Sequence, residues 1–211
     1  MGADTPKKEI TFDWDPNTQE WPGPERASKT LPELLIYRFF WCLWGIFGFF
    51  SFRSHQTGRE NIPKKGPFVL LGNHVSMFDP AWAAFPLPRT DVHFMASASL
   101  FAIPILGPLI RAVGSFPKAK FSKDKGAMGH MLQKLQAGGV VVLFPEGRRT
   151  WDGSTVRPMP GTGRFLRRTH IPVVFCRNLT GHLYQPRWAI YPRYVPIKLD
   201  YSKPVVFDAS M

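Results

Sequence analysis

Short continuous apolar runs separated by helical stretches constrain this chain more than any other feature. The runs are Phe68 to Gly72, Val92 to Ala96, Ala112 to Phe116, Val140 to Phe144, Pro172 to Cys176 and Val195 to Leu199, with Pro204 to Phe207 as a further edge strand. Most of them do not alternate apolar with polar residues, so as strands they must be buried on both faces. Between them the sequence predicts helices over Pro80 to Phe85, Ser99 to Ile110 (broken by Pro104 and Pro108), Ser122 to Ala137 (closed by Gly138-Gly139) and Gly161 to Thr169. Alternation of this kind predicts an α/β fold, a layered, largely parallel mixed sheet flanked by helices, with chemistry at strand ends where loops meet helices.

Two of those strand ends carry reactive groups. Phe68 to Leu71 leads into Asn73-His74-Val75-Ser76-Met77-Phe78-Asp79, a histidine and a carboxylate one tight turn apart. The turn can fold Asp79 back onto the imidazole of His74, which sets the tautomer and raises the basicity of a general base. Asp79 also has a plainer reading, because Asp before Pro80 is an ordinary helix N-cap. Val140 to Phe144 leads into Pro145-Glu146-Gly147-Arg148-Arg149. Gly147 allows close backbone approach, and the guanidinium groups of Arg148 and Arg149 suit a phosphate. Lys118 and Lys120 are expected to add cations at the same rim. Arg164, Arg167 and Arg168 read equally well as a solvated helix face.

The N-terminal portion differs in kind. Residues 1–30 are polar and Pro-rich and read as an arm; a secretory signal is not expected. From Leu34 to Phe52 nineteen residues hold one charge, Arg38, and eight Phe or Trp side chains. A helix of that length at about 1.5 Å per residue could just cross a bilayer core, or lie at the headgroup boundary that Trp and Arg favour. The expected organisation is therefore 1–30 arm, 31–56 membrane-associated helix and 57–211 catalytic domain, in a chain whose length suits one sizeable core.

Charge narrows the partners. Residues 1–30 contain four of the 27 Lys/Arg and six of the 15 Asp/Glu, so the remainder carries 23 against nine. Such a body attracts anionic lipid, phosphorylated substrates, an acidic carrier protein or nucleic acid. Nucleic acid is not expected, because the aromatics cluster in one apolar segment instead of interleaving with basic residues. Two distant cysteines support neither a disulfide framework nor a metal motif and suit a reducing cytoplasmic setting. No P-loop, G-x-G-x-x-G, G-x-S-x-G or H-E-x-x-H pattern occurs, so neither cofactor nor metal is expected. A base without a nucleophilic serine points to activation of a substrate's own hydroxyl.

The two blocks resemble those of the glycerolipid acyltransferases typified by 1-acylglycerol-3-phosphate O-acyltransferase, an NHxxxxD block followed by an FPEGTRS block. Asn73, His74 and Asp79 match the first; Phe144 to Gly147 and Arg149 match the second, with Arg148 where Thr is usual and Thr150 where Ser is frequent. The intermediate block is similar to Gly114 to Lys120, with Lys120 in place of arginine, and the last to Ile171 to Val174, with Phe175 where a second proline is common. The resemblance implies His74 and Asp79 as the catalytic pair. Glu146, Gly147, Arg148, Arg149 and Lys120 would hold the acceptor. It implies transfer from acyl-CoA or acyl carrier protein, as donor substrate, to a lysophospholipid at the cytoplasmic face of a membrane. Acyl transfer to another acceptor, and a non-enzymatic peripheral lipid-binding protein, are the alternative readings.

Overall fold

The structure, a computed structural model, describes residues 29–52, 54–119 and 124–207. The expected arm therefore lies outside the described residues except for its last two positions, as do Arg53, Lys120 and the first residues of the helix expected from Ser122. The described chain runs α1 (Leu31–Phe52), β1 (His55–Thr57), β2 (Phe68–Gly72), α2 (Asp79–Ala84), β3 (Val92–Ser97), α3 (Leu106–Ala112) and β4 (Ser115–Lys118). It continues through α4 (Lys125–Gln136), β5 (Val140–Leu143), α5 (Pro160–Thr169), β6 (Val173–Asn178), α6 (Gly181–Tyr184) and β7 (Lys198–Tyr201).

The strands form one seven-stranded sheet in the order β1-β7-β6-β2-β5-β3-β4, parallel throughout except where β6 meets β7. Every residue of β2 and β5 is buried, which is why their sequences are continuous Val/Leu/Phe runs. Alternate side chains serve opposite layers. Phe68, Leu70, Val140 and Val142 pack with Trp82 of α2 and Tyr184 of α6. Val69, Leu71, Val141 and Leu143 pack with Met131 and Leu135 of α4 and Phe165 and Leu166 of α5. The result is the three-layer α/β architecture that the sequence pattern implies.

Local chemistry explains the boundaries. Asp124 caps α4 by accepting from the Ala127 amide at 2.9 Å, and Gly138, at φ 79°, turns the chain out of that helix. The strand expected at Ala112 to Phe116 is displaced: Ala112 ends α3, Gly114 turns at φ 95°, and β4 starts at Ser115. Pro108 does not break α3, because it sits in the first turn, where its missing N–H has no partner to lose. The strand expected at Val195 to Leu199 begins later, at Lys198, and Pro204 to Phe207 contributes an isolated bridge from Val205 to Val173.

α1 has two apolar faces. Tyr37, Trp41, Trp44, Gly45 and Gly48 form the inner one: Tyr37 Oη donates to the Arg89 carbonyl at 3.3 Å, and Trp41 Nε1 to that of Phe85 at 3.2 Å. Trp44 stacks edge-on against Trp82 at 4.8 Å. A Cβ at Gly45 or Gly48 would stand 3.1 Å from the rings of Phe85 or Trp82, so small residues set the close approach. The outer face, Leu31, Leu35, Phe39, Leu43 and Ile46, is exposed.

At the opposite end of the sheet from the reactive loops, Arg89 and Asp91 form a buried bidentate pair, and Arg89 also donates to the carbonyls of Gly66 and Gly138. Nearby His93 is buried, and burial, reinforced by Lys29 and Lys134 and opposed by Asp91, pushes its pKa down to about 4. Because the unfolded chain binds this proton near pH 6.5 and the folded chain does not, the stabilising contribution is complete above that pH and lost as pH falls toward 4. Urea midpoints are expected to reveal a loss of up to about 3 kcal/mol across that window. His93→Gln, which retains a donor for the Gly114 carbonyl at 3.2 Å, should flatten that part of the profile.

Candidate active site

Parallel pairing of β2 with β5 and β6 brings three strand ends to one rim, with Leu71 opposite Leu143 and Gly72 opposite Cys176. The chain leaves β2 through Asn73 and His74, leaves β5 through Phe144 to Glu146, and ends β6 at Asn178. Asn73 extends the ladder with its side chain, donating to the Asn178 carbonyl at 2.9 Å and accepting from the Asn178 amide at 2.7 Å. This amide clamp fixes the start of the turn that carries His74.

His74 Nδ1 lies 2.9 Å from Asp79 Oδ2. The same oxygen accepts the backbone N–H groups of Val75 at 2.6 Å and Ser76 at 2.7 Å, while Oδ1 accepts from Asn178 Nδ2 at 2.9 Å. Asp79 is only 1% exposed, and every other partner of its carboxylate is a donor. Its place as a helix cap is corrected: Asp79 is itself the first residue of α2, and its side chain makes no bond to the helix's first turn but reaches back across the preceding loop. With Nδ1–H directed at Asp79, Nε2 becomes the basic nitrogen, on a ring that is 21% exposed.

Phe144 forms the wall. Its ring stacks on the imidazole with centroids 4.5 Å apart. Gly72 leaves room for that ring, since a Cβ there would lie 2.8 Å from Phe144 Cε1. Gly72→Ala is expected to cost about 1–3 kcal/mol and to displace the imidazole. Unfolding midpoints and any turnover, measured together, check it.

Glu146 is buried beside this pair, and its Oε2 has no hydrogen-bond partner among the described residues. Burial pushes its carboxyl above the usual range, with Asp79's charge adding to the shift and the backbone amide and ring of His74 opposing it. Thr150 donates its backbone N–H to the His74 carbonyl at 2.9 Å, and its buried Oγ1 likewise has no partner among the described residues. Gly147 turns at φ 69°, where a Cβ would press on Met159 at 2.9 Å. Arg148 is exposed and Arg149 half-exposed, so both guanidinium groups can meet solute. The Arg149 carbonyl is held at 3.1 Å by Arg187, whose guanidinium lies 4.6 Å above the Trp151 ring.

Not every expected residue converges. Lys118 ends β4 at the same rim, as expected, but two strands from β5, about 10 Å away at ordinary strand spacing. Lys120 lies outside the described residues. Arg164, Arg167 and Arg168 are exposed on α5. The sequence reading overlooked Asn178 and Arg187; a buried-strand pattern ending in Asn was the available signal for the first, and none marked the second. Among the described residues no cluster of three or more His, Cys, Asp or Glu side chains is placed to hold a metal ion.

A parallel α/β sheet with an imidazole–carboxylate pair at one strand end and a desolvated glutamate and two arginines at the next defines a site able to take a proton from a hydroxyl beside an anionic group. The acyltransferase family model matches residues 53–177, and the chain belongs to that family. It is 30% identical over 101 residues to the 1-acyl-sn-glycerol-3-phosphate acyltransferase of Borreliella burgdorferi, covering 47% of this chain and 40% of that protein. The protein of that name from Limnanthes alba is 28% identical over 158 residues, covering 72% of this chain and 54% of that protein. The crystal structure of the 1-acyl-sn-glycerophosphate acyltransferase PlsC of Thermotoga maritima shares the fold, with a TM-score of 0.59, 22% identity and coverage of 83% and 85% of the two chains. The chain spans about two fifths of the length of the first curated relatives it matches.

Proposed function

We propose that this chain moves a fatty acyl group from an acyl thioester to the free hydroxyl of a lysophospholipid, 1-acylglycerol-3-phosphate, giving phosphatidate. The observation that carries the reading is the His74–Asp79 pair at 2.9 Å beside the buried Glu146 Oε2, which has no hydrogen-bond partner among the described residues. His74 Nε2 removes the hydroxyl proton as the oxygen attacks the thioester carbonyl. The tetrahedral intermediate collapses with loss of the thiolate, which takes the proton back from His74. Asp79 holds the ring and offsets its transient positive charge. Glu146 accepts a hydrogen bond from the acceptor's glycerol portion and so orients the attacking oxygen, while Arg148 and Arg149 bind the phosphate. The donor is acyl-CoA or acyl carrier protein, acting as a substrate, and the residues named need no cofactor.

α1 supports a membrane location. It is long and apolar enough to cross a bilayer, yet its inner face is docked on α2 while its outer apolar stripe is exposed. A helix held along the domain in this way lies at the headgroup boundary, on the cytoplasmic side of the membrane.

The test is acyl transfer by the wild-type chain from acyl-CoA and acyl-carrier donors to lysophosphatidate and to lysolipids with other headgroups. Transfer to lysophosphatidate alone supports the reading. Preference for a larger headgroup would reassign the acceptor, and lipid binding without any transfer would leave a peripheral binding module.

A further inference from the structure

The strand order fixes what stands on either side of the candidate site. β2 and β5, which carry His74 and Glu146, are central; β3 lies to one side and the β6–β7 pair to the other. The segment after β3, Ala98 to Ile105, therefore flanks the site on one side. The segment from Leu179 to Ile197, which joins the ends of β6 and β7 at the same rim, flanks it on the other.

Both flanks end in exposed apolar side chains. On the first, Ile105 is 86% exposed and held at φ 68°, a conformation a β-branched residue adopts only under strain, with Ile103 exposed beside it. On the second, Trp188 is 60%, Ile190 82% and Tyr191 80% exposed. Guanidinium groups cover the tryptophans: Arg193 lies 4.5 Å over the Trp188 ring and Arg187 4.6 Å over Trp151. No Asp or Glu occurs between Ala98 and Lys118 or between Gly153 and Leu199; the first flank is uncharged and is followed by Arg111 and Lys118, while the second carries Arg187 and Arg193 and is cationic. The first flank continues into α3, which touches α1. The second is braced on the site block, since a Cβ at Gly153 would meet the His182 ring of α6 at 2.4 Å.

We propose that the site rim seats on an anionic bilayer through these two prongs, Ile103–Ile105 and Trp188–Tyr191. Aliphatic tips enter the acyl boundary, Trp and Tyr rings stay at headgroup level, and the stacked arginines meet lipid phosphates. Seated so, the His74 mouth opens onto the membrane and an acceptor lipid reaches it laterally. The consequence for turnover rests on the acyl-transfer reading; the seating itself does not.

The test uses the full chain and vesicles of phosphatidylcholine with about one-third phosphatidylglycerol, an anionic surface. Ile105→Asn, which also suits the positive φ, and Ile190→Glu alter neither the His74 pair nor the arginine block, and both sites are open enough to keep the fold. With α1 intact, the double variant is expected to float with vesicles at least about tenfold more weakly than wild type, a difference of about 1.4 kcal/mol. Its turnover of vesicle-embedded lysophosphatidate should fall in step, with turnover of dissolved short-chain lysophosphatidate unchanged. Unchanged flotation overturns the proposal, including the case in which only carrier-protein-dependent transfer is lost, which would make the prongs a docking face for an acidic carrier. Equal loss on both acceptors with normal flotation overturns it too. A wild type that floats yet transfers to no acceptor would sink the acyl-transfer reading while leaving the flotation comparison decisive for the prongs.

Discussion

His74→Ala is expected to lower acyl transfer by a factor of about 10² to 10⁴, the usual contribution of a positioned general base. The fold should survive. Asp79 keeps three N–H donors when the imidazole is removed, from Val75, Ser76 and Asn178, so no buried charge is left without a partner. The structural cost is limited to the stacking on Phe144, worth about 1 kcal/mol. Initial rates at saturating donor, alongside urea unfolding of the same preparations, separate the two effects. A rate within threefold of wild type at equal folded fraction would remove His74 from the chemistry.

Asp79 should behave differently, because it joins the fold to the site. Asp79→Ala strands the buried donors of Val75, Ser76 and Asn178 and releases the imidazole, for an expected stability loss of about 3–5 kcal/mol. Asp79→Asn keeps the volume but cannot satisfy the same set. If its amide oxygen faces Val75 and Ser76, its NH₂ meets the Asn178 NH₂. Asn178 cannot turn to accommodate it without giving up the Thr180 and Gly181 amides that its Oδ1 accepts at 3.3 and 2.8 Å. About 1–3 kcal/mol of destabilisation is expected, and a rate loss that persists at temperatures where the variant is fully folded. Calorimetry with transfer assays on the same samples measures both. A variant that loses stability and keeps its rate would confine Asp79 to a structural role.

What could be read in advance follows from how local each determinant is. β2 and β5 are buried on both faces, so their boundaries are written as apolar runs, and the cap at Asp124 and the exit at Gly138 depend on near neighbours in the chain. β1 shows no such pattern. His55–Thr57 is three polar residues that become a strand only because β7 offers a parallel partner more than 140 residues later. α6, at four residues, is too short to show a period. Gly114 misled the reading of β4, since a turn at φ 95° between a helix and a strand looks, in sequence, like the middle of one apolar run.

The candidate site divides in the same way. Sequence alone determined that a base and a carboxylate share one tight turn, and that a glutamate and two arginines leave another buried strand, because both are fixed by a few consecutive residues. Only the tertiary structure decided that these two turns adjoin, that Asn178 closes the network around Asp79, and that Lys118 stands two strands away. It also placed two apolar prongs on either side of the rim. Those are consequences of strand order, which is set by how the whole chain buries its two apolar layers and is written in no single segment.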